Sequence, residues 1–472
     1  MRKNIHIAFL LLLIVSCKTE SKEAFDMMLQ NGNVINIETG TISILDIFVN
    51  NGRIAKITAA DEFTNFDSDT VIDASGKYIL PGFWDNHVHF RGGDSLIKAN
   101  KNFLKLFIAN GITTVRDAGG DLTTSVMKWK KEIANGQLIG PTIYTSGPKI
   151  DGPNATWAGS LVVENTSDVS KALDSLQQLK TDFVKIYESR ISRTAYLETV
   201  AQATKRGLIT SGHMPFTVEL KENINAGIGA IEHLYYVLKG CSSKEKEITQ
   251  AIINKEYGFW QSMEKLIASY DEKAAQNTFE RLKNNDVFVV PTLHIGHVLS
   301  YLDEENHAED PYLKLIPNGI VSTYKGRINR ALNSSDKAKK DRKALDAFFV
   351  ALAKSLSDAD VRLLAGSDSG AFNSYTYPGV SLHKELEALV NAGLSPLKAL
   401  KTSAYNGAHF LKKNNLYGTI DVGKMSDLVL LNANPLDDIK NSRKIFKVIK
   451  EKKIYDPQKI TENLDCQNCF IQ

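Results

Sequence analysis

Cysteine is scarce in this chain, with four in 472 residues. Cys17 follows an N-terminal apolar run, which leaves only Cys241, Cys466 and Cys469. One Cys-x-x-Cys pair offers too few thiolates for a closed cysteine-only metal site. It also lies almost at the end of the chain, with no surrounding domain to support a redox catalyst. A disulfide between Cys466 and Cys469 stays open for an exported chain, and Cys241 reads as a free thiol. An excess of either charge is missing too. The 57 Lys+Arg against 54 Asp+Glu leave a net charge of +3, which speaks against a dedicated nucleic-acid binder. Basic runs such as residues 337–343 read as solvated helix surface. No glycine-rich phosphate loop follows an early strand, which disfavours an open dinucleotide-binding sheet.

Apolar residues are plentiful, at 43% of the chain, enough for one large core and a small second one. The N-terminus reads as a targeting segment. Arg2 and Lys3 precede an apolar run over residues 5–15, too short to span a membrane with certainty. Ile14-Val15-Ser16-Cys17 resembles a bacterial lipobox, so residues 1–16 read as a signal peptide and 17–26 as a tether lipidated at Cys17. Lys18 is not the aspartate that signals inner-membrane retention. The expectation is an exported, lipid-anchored protein of the bacterial envelope, at the outer membrane facing periplasm or surface. An uncleaved anchor or an ordinary signal peptide is the alternative.

From residue 27 to 78, short strands and turn signals (Asn31-Gly32, Thr39-Gly40, Ser75-Gly76) predict the first part of a small β-sandwich. From 79 to 415, short apolar strands alternate with helical runs. Eight strand candidates cover residues 79–85, 113–116, 142–146, 183–186, 208–211, 230–232, 287–291 and 362–366. The fold class is therefore α/β, a (β/α)8 barrel, with an open doubly wound sheet as the runner-up. The long connections 234–286 and 292–361 carry helical patterns of their own and read as walls or a lid over the barrel mouth. Residues 416–472 return to strand patterns and complete the sandwich, with a C-terminal tail.

Several chemistry-bearing residues fall at strand ends. His87 and His89 are two apart, so both imidazoles face one side while Val88 packs on the other. Lys185 sits inside an apolar strand, where an unpaired charge is costly. It either snorkels, pairs with an acid, or carries CO2 as a carbamate. His213 and His233 each follow a strand candidate. Asp368 closes Ala365-Gly366-Ser367-Asp368 and reads either as a metal ligand or as a helix N-cap.

These residues, with Pro81-Gly82 before His87, residues 111–117, Gly418-Thr419-Ile420 and residues 423–429, resemble the amidohydrolase superfamily. The resemblance is to its imidazolonepropionase-like and Xaa-Pro or Xaa-Arg dipeptidase subgroup. It implies two divalent ions, zinc by default, with His87, His89 and Asp368 at the buried ion and His213 and His233 at the exposed one. It also implies an N6-carboxylysine at Lys185 bridging them. The implied activity is hydrolysis of an amide by metal-activated hydroxide, with Asp368 moving the proton. A dipeptide or other small molecule is the implied substrate, met by Tyr187, Arg190, Tyr235 and His294, with Trp157, Tyr236 and His297 also available. Arg190 suits a substrate carboxylate. A cyclic-amide hydrolase and a non-catalytic binding lipoprotein are the alternatives. Homo-oligomers occur among such proteins.

Overall fold

The structure is a computed structural model and describes residues 22–468. Strands from both ends of the chain link into one mixed sheet of eight strands. Met27–Ile35 pairs antiparallel with Ile42–Asn50 and parallel with Tyr78–Pro81. Leu428–Leu431 then inserts between Tyr78–Pro81 and Ile445–Lys450. Leu428–Leu431 is apolar at every position and wholly buried, as a strand covered on both faces must be. The strands expected to form a terminal sandwich thus join one sheet.

The expected strand over residues 79–85 is divided. Tyr78–Pro81 belongs to the terminal sheet, and Phe83–Val88 starts a parallel sheet with Ile112–Asp117 and Thr142–Thr145. Gly82 is the crossing point. Its N–H donates to the Asp427 carbonyl at 2.8 Å, and a Cβ there would fall 2.3 Å from the Thr113 side chain. A second parallel sheet runs through Ile150–Asp151, Val184–Ile186, Thr210–Gly212, Ala230–Glu232 and Phe288–Val290. The eighth expected strand, residues 362–366, forms no ladder. Its backbone instead hydrogen-bonds to Val289 on one side and to Asn86 and His87 on the other, through Arg362, Leu364, Ala365 and Asp368. The fold is α/β, with mixed sheets arranged as a distorted barrel.

Helices cover the outside of these sheets. Thr166–Gln178 shows why: Asn165 caps its start by accepting from the Ser167 and Asp168 amides. Val169, Ala172, Leu173 and Leu176 then repeat at helical spacing and are buried. The helical pattern expected in the connection 234–286 includes the helices Phe259–Ala268 and Glu272–Asn284, the second capped by Asp271 through the Ala274 amide.

The lipid-anchored, membrane-associated envelope location expected above is corrected by the structure. Cys241, the cysteine whose side chain is described, is buried and unpaired, so it cannot carry a lipid. Among the described residues no helix is long and apolar enough to cross a membrane. No described residue therefore offers a lipidation site or an embedded segment. Cys17 and Cys469 lie outside the described residues.

Candidate metal centre

Four imidazoles meet where the parallel strands end. Ring centroids lie 5.1 Å apart for His87 and His89, 5.3 Å for His87 and His233, and 4.8 Å for His213 and His233. His87 ends Phe83–Val88 with His89 just beyond, and His213 and His233 each follow a buried three-residue strand. Val88 turns into the main core, as the alternation requires.

His87, His89 and Asp368 form a metal-binding cluster. His87 Nε2 and His89 Nε2 are 3.2 Å apart, and Asp368 Oδ1 is 3.6 and 3.2 Å from them. A tetrahedral ion with ligand bonds of about 2.0–2.1 Å needs ligand atoms about 3.3 Å apart. The three edges match that spacing. His89 Nδ1 donates to the Gly119 carbonyl at 2.8 Å, which leaves the Nε2 lone pair free for an ion. Gly119 adopts φ 84°, and a Cβ there would meet the Gly147 oxygen at 2.8 Å, so only glycine can aim that carbonyl.

His233 is set the same way. Thr292 Oγ1 donates to the Pro291 carbonyl and therefore accepts from His233 Nδ1, at 2.7 Å in each case. His233 Nε2 then faces Asp368 Oδ2 at 3.9 Å. Thr292 itself sits at φ 52°, an unusual conformation for a β-branched residue, and His233 and Asp368 also have positive φ. Asn373 Nδ2 donates to Asp368 Oδ1 at 2.8 Å, fixing the carboxylate.

Burial is the main cause holding all four imidazoles below their ordinary pKa, with His233 down to about 3. They are neutral, as metal ligands must be. Burial pushes Asp368 upward, but His87, His233, Arg91 and Arg327 outweigh it and hold the carboxylate at about 2.

Lys185 is fully buried and lies against the Glu232 carboxylate. Burial first, then Lys149 and Arg116, push its amine well below the usual range. Glu232 is held from its other side, with Ser211 Oγ at 2.5 Å and the Arg116 guanidinium at 3.1 Å. Glu232 and Arg116 were missed in the sequence. Their signal was a charged residue near the end of a fully buried strand, Glu232 in Ala230–Glu232 and Arg116 in Ile112–Asp117.

The surrounding cavity holds about 300 Å³. Tyr187 and Tyr235 line it, as do Trp157 and Tyr236, and the Tyr187 ring lies 4.4 Å from that of His213. Arg190 is exposed and outside this lining. His294 lines a separate cavity, and burial, then Lys384, hold it at about 3. Sequence reasoning also missed Arg91, Lys149, Glu188 and Arg327, which all line the metal-facing cavity. Burial, then Arg91, push Lys149 down to about 7.

Residues 78–456 match the amidohydrolase family. The chain belongs to the amidohydrolase family. Within the matched residues lies the His87, His89 and Asp368 cluster, placed to hold a metal ion. Among curated relatives, an adenine deaminase of Listeria welshimeri is 33% identical over 97 residues, 21% of this amidohydrolase. The match spans only 15% of that enzyme's length. The fold is similar to a Xaa-Pro dipeptidase solved with bound methionine, at 18% identity and TM-score 0.67, over 91% of this chain and 99% of that one. It is also similar to bottromycin amidohydrolase, at 19% identity and TM-score 0.72, over 93% and 89% of the two chains.

Proposed function

We propose that this amidohydrolase cleaves an amide in a dipeptide-like substrate with two divalent ions bound, zinc by default. The observation that carries the reading is the convergence of His89, His213, His233, Lys185 and Asp368 on one cavity, with the His87 ring directly behind His89 and His233. His87, His89 and Asp368 would hold the inner ion, and His213 and His233 the outer one. The Nε2 atoms of His87 and His89 face Asp368 Oδ1 at 3.6 and 3.2 Å, which suits an inner ion, and the His213 and His233 rings stand beside them 4.8 Å apart. We assign Lys185 as an N6-carboxylysine between the two ions. Its neutral amine is the form that takes up CO2, and the carbamate would lower the positive charge of the site.

When bound, the ions supply an activated water and a polarised carbonyl. Asp368 does the proton work. Asn373 holds Oδ1, so Oδ2, on the His233 side, is the oxygen free to accept the water's proton and return it to the leaving amine. Trp157, Tyr187 and Tyr235 provide apolar walls that exclude bulk water from the reacting bond. The whole-chain likeness to a Xaa-Pro dipeptidase supports a dipeptide substrate. The adenine deaminase likeness favours a second reading, hydrolysis of a cyclic carbon–nitrogen substrate.

Metal analysis with a panel of dipeptides and cyclic amides tests the reading. The expected result is about two ions per chain and cleavage of a dipeptide. Lys185→Met should bring the content to about one ion. Two ions retained in that variant would sink the bridging lysine, and cleavage of cyclic amides alone would favour the second reading.

A further inference from the structure

Apart from Lys185, three basic side chains reach the metal-facing cavity, Lys149, Arg91 and Arg327, and no carboxylate among the described residues pairs with their charged ends. Lys149 is 2% exposed, and its Nζ has no hydrogen-bond partner. It lies 5.0 Å from the Trp157 ring centre. Arg91, 4% exposed, stacks on the same ring with its guanidinium carbon at 4.1 Å. Only the Arg91 Nε is engaged, by the Ala371 carbonyl at 2.9 Å. The Arg327 guanidinium makes no hydrogen bond or ion pair among the described residues, and Arg327 lines both this cavity and an adjoining one of about 360 Å³.

Acids do not balance them. Asp368 and Glu188 are the acids lining the cavity. Asp368 faces the imidazoles. Glu188 is occupied by the Tyr236 hydroxyl at 2.8 Å, and it lies 2.7 Å from His213 Nδ1. Unpaired buried cations are costly, and like charges sharing one cavity add to the cost. A partner that arrives with the substrate removes both penalties. The cations form two poles, Arg91 with Lys149 around Trp157, and Arg327 at the opening to the second cavity.

We propose that this cavity selects amides whose leaving amino acid carries two carboxylates, an aspartate or glutamate, with one carboxylate at each pole. This rests on the amide-hydrolase reading above and narrows it. The same charges exclude a leaving arginine or lysine, which would bring a fourth cation to the site.

Calorimetry on the metal-loaded protein, with the amino acid products as probes, tests the selection without relying on turnover. L-Glutamate should bind at least about tenfold more tightly than L-glutamine, the worth of one charge-assisted contact, and L-arginine more weakly than either. Arg327→Gln should shrink the glutamate preference to below about threefold, and Lys149→Met should weaken glutamate by about tenfold or more. The inference fails if L-arginine binds as tightly as L-glutamate, or if Arg327→Gln keeps the full preference. Parallel assays with glycyl-L-glutamate, glycyl-L-glutamine and glycyl-L-arginine separate the two readings. Acid-selective binding without cleavage of any amide would remove the hydrolase reading alone. Cleavage with no preference for the acidic substrate would remove this inference alone.

Discussion

The terminal sheet and the barrel mouth handle buried polar groups in opposite ways. Leu428–Leu431 is buried with both edges paired, between Tyr78–Pro81 and Ile445–Lys450. The sheet's buried atoms without a partner are few: Thr58 Oγ1 on the strand Arg53–Ala59, and Asp427 Oδ2 just before a strand. At the barrel mouth, Lys149 Nζ is buried with no partner, while Lys185 is buried against Glu232 and His213 Nδ1 lies 2.7 Å from Glu188. An orphaned buried polar atom costs about 1–3 kcal/mol, more if charged. One region is stabilised by its own packing. The other gathers ionisable groups around one cavity, and that difference marks the candidate site.

The contrast breaks most severely at Asp368. Asp368→Asn should lower kcat/KM by about 10²–10⁴-fold, the usual worth of positioned acid–base work, with little loss of melting temperature. Steady-state kinetics beside a thermal melt checks this, and an equal loss of both would make Asp368 a structural residue. The opposite outcome is expected in the sheet. Leu430 is fully buried and opposite Ile79, so Leu430→Ala should cost about 2–5 kcal/mol of stability. Its kcat/KM, measured well below the new melting point, should stay within about twofold of the parent.

Two subtler measurements sharpen the comparison. Thr292→Val removes the oxygen that accepts from His233 Nδ1 and should weaken affinity for the outer ion by about 10–100-fold. Competition against a chromophoric chelator reads this directly, and an unchanged affinity would show that the threonine does not set the tautomer. The pH dependence comes last. His233, held at about 3 by burial and then His213, stays unprotonated at pH 5. A ligand at the ordinary value near 6.5 would forfeit about 25-fold in affinity between pH 7 and 5. Ion retention at pH 5 should therefore fall far less than that, because a lowered imidazole pKa keeps the metal-binding form down to more acidic pH.

The legible parts of the sequence were those carried by local period. His87-Val88-His89 could be read because a strand alternates, and Lys185 because a lysine stands out in an apolar run. The division at Gly82 was not legible, since both flanking strands are apolar and only the pairing partners differ. The segment over residues 362–366 looked like any other buried strand, yet it hydrogen-bonds through isolated contacts on both sides. Arg91, Lys149 and Arg327 were hidden for another reason. They lie far apart in the chain, and each alone reads as ordinary surface charge. Only the fold turns them toward one cavity.

Gly82 carries a consequence for how this protein can be altered. The backbone that leaves the terminal sheet at Pro81 reaches the first imidazole at His87 within six residues, and the Gly82 amide is tied to Asp427 near the other end of the chain. The two regions therefore share one structural seam. A barrel excised from its sheet would lose the anchor that sets the height of its first ligand. Grafting, truncation or domain exchange in this protein should move both regions as a single heritable part.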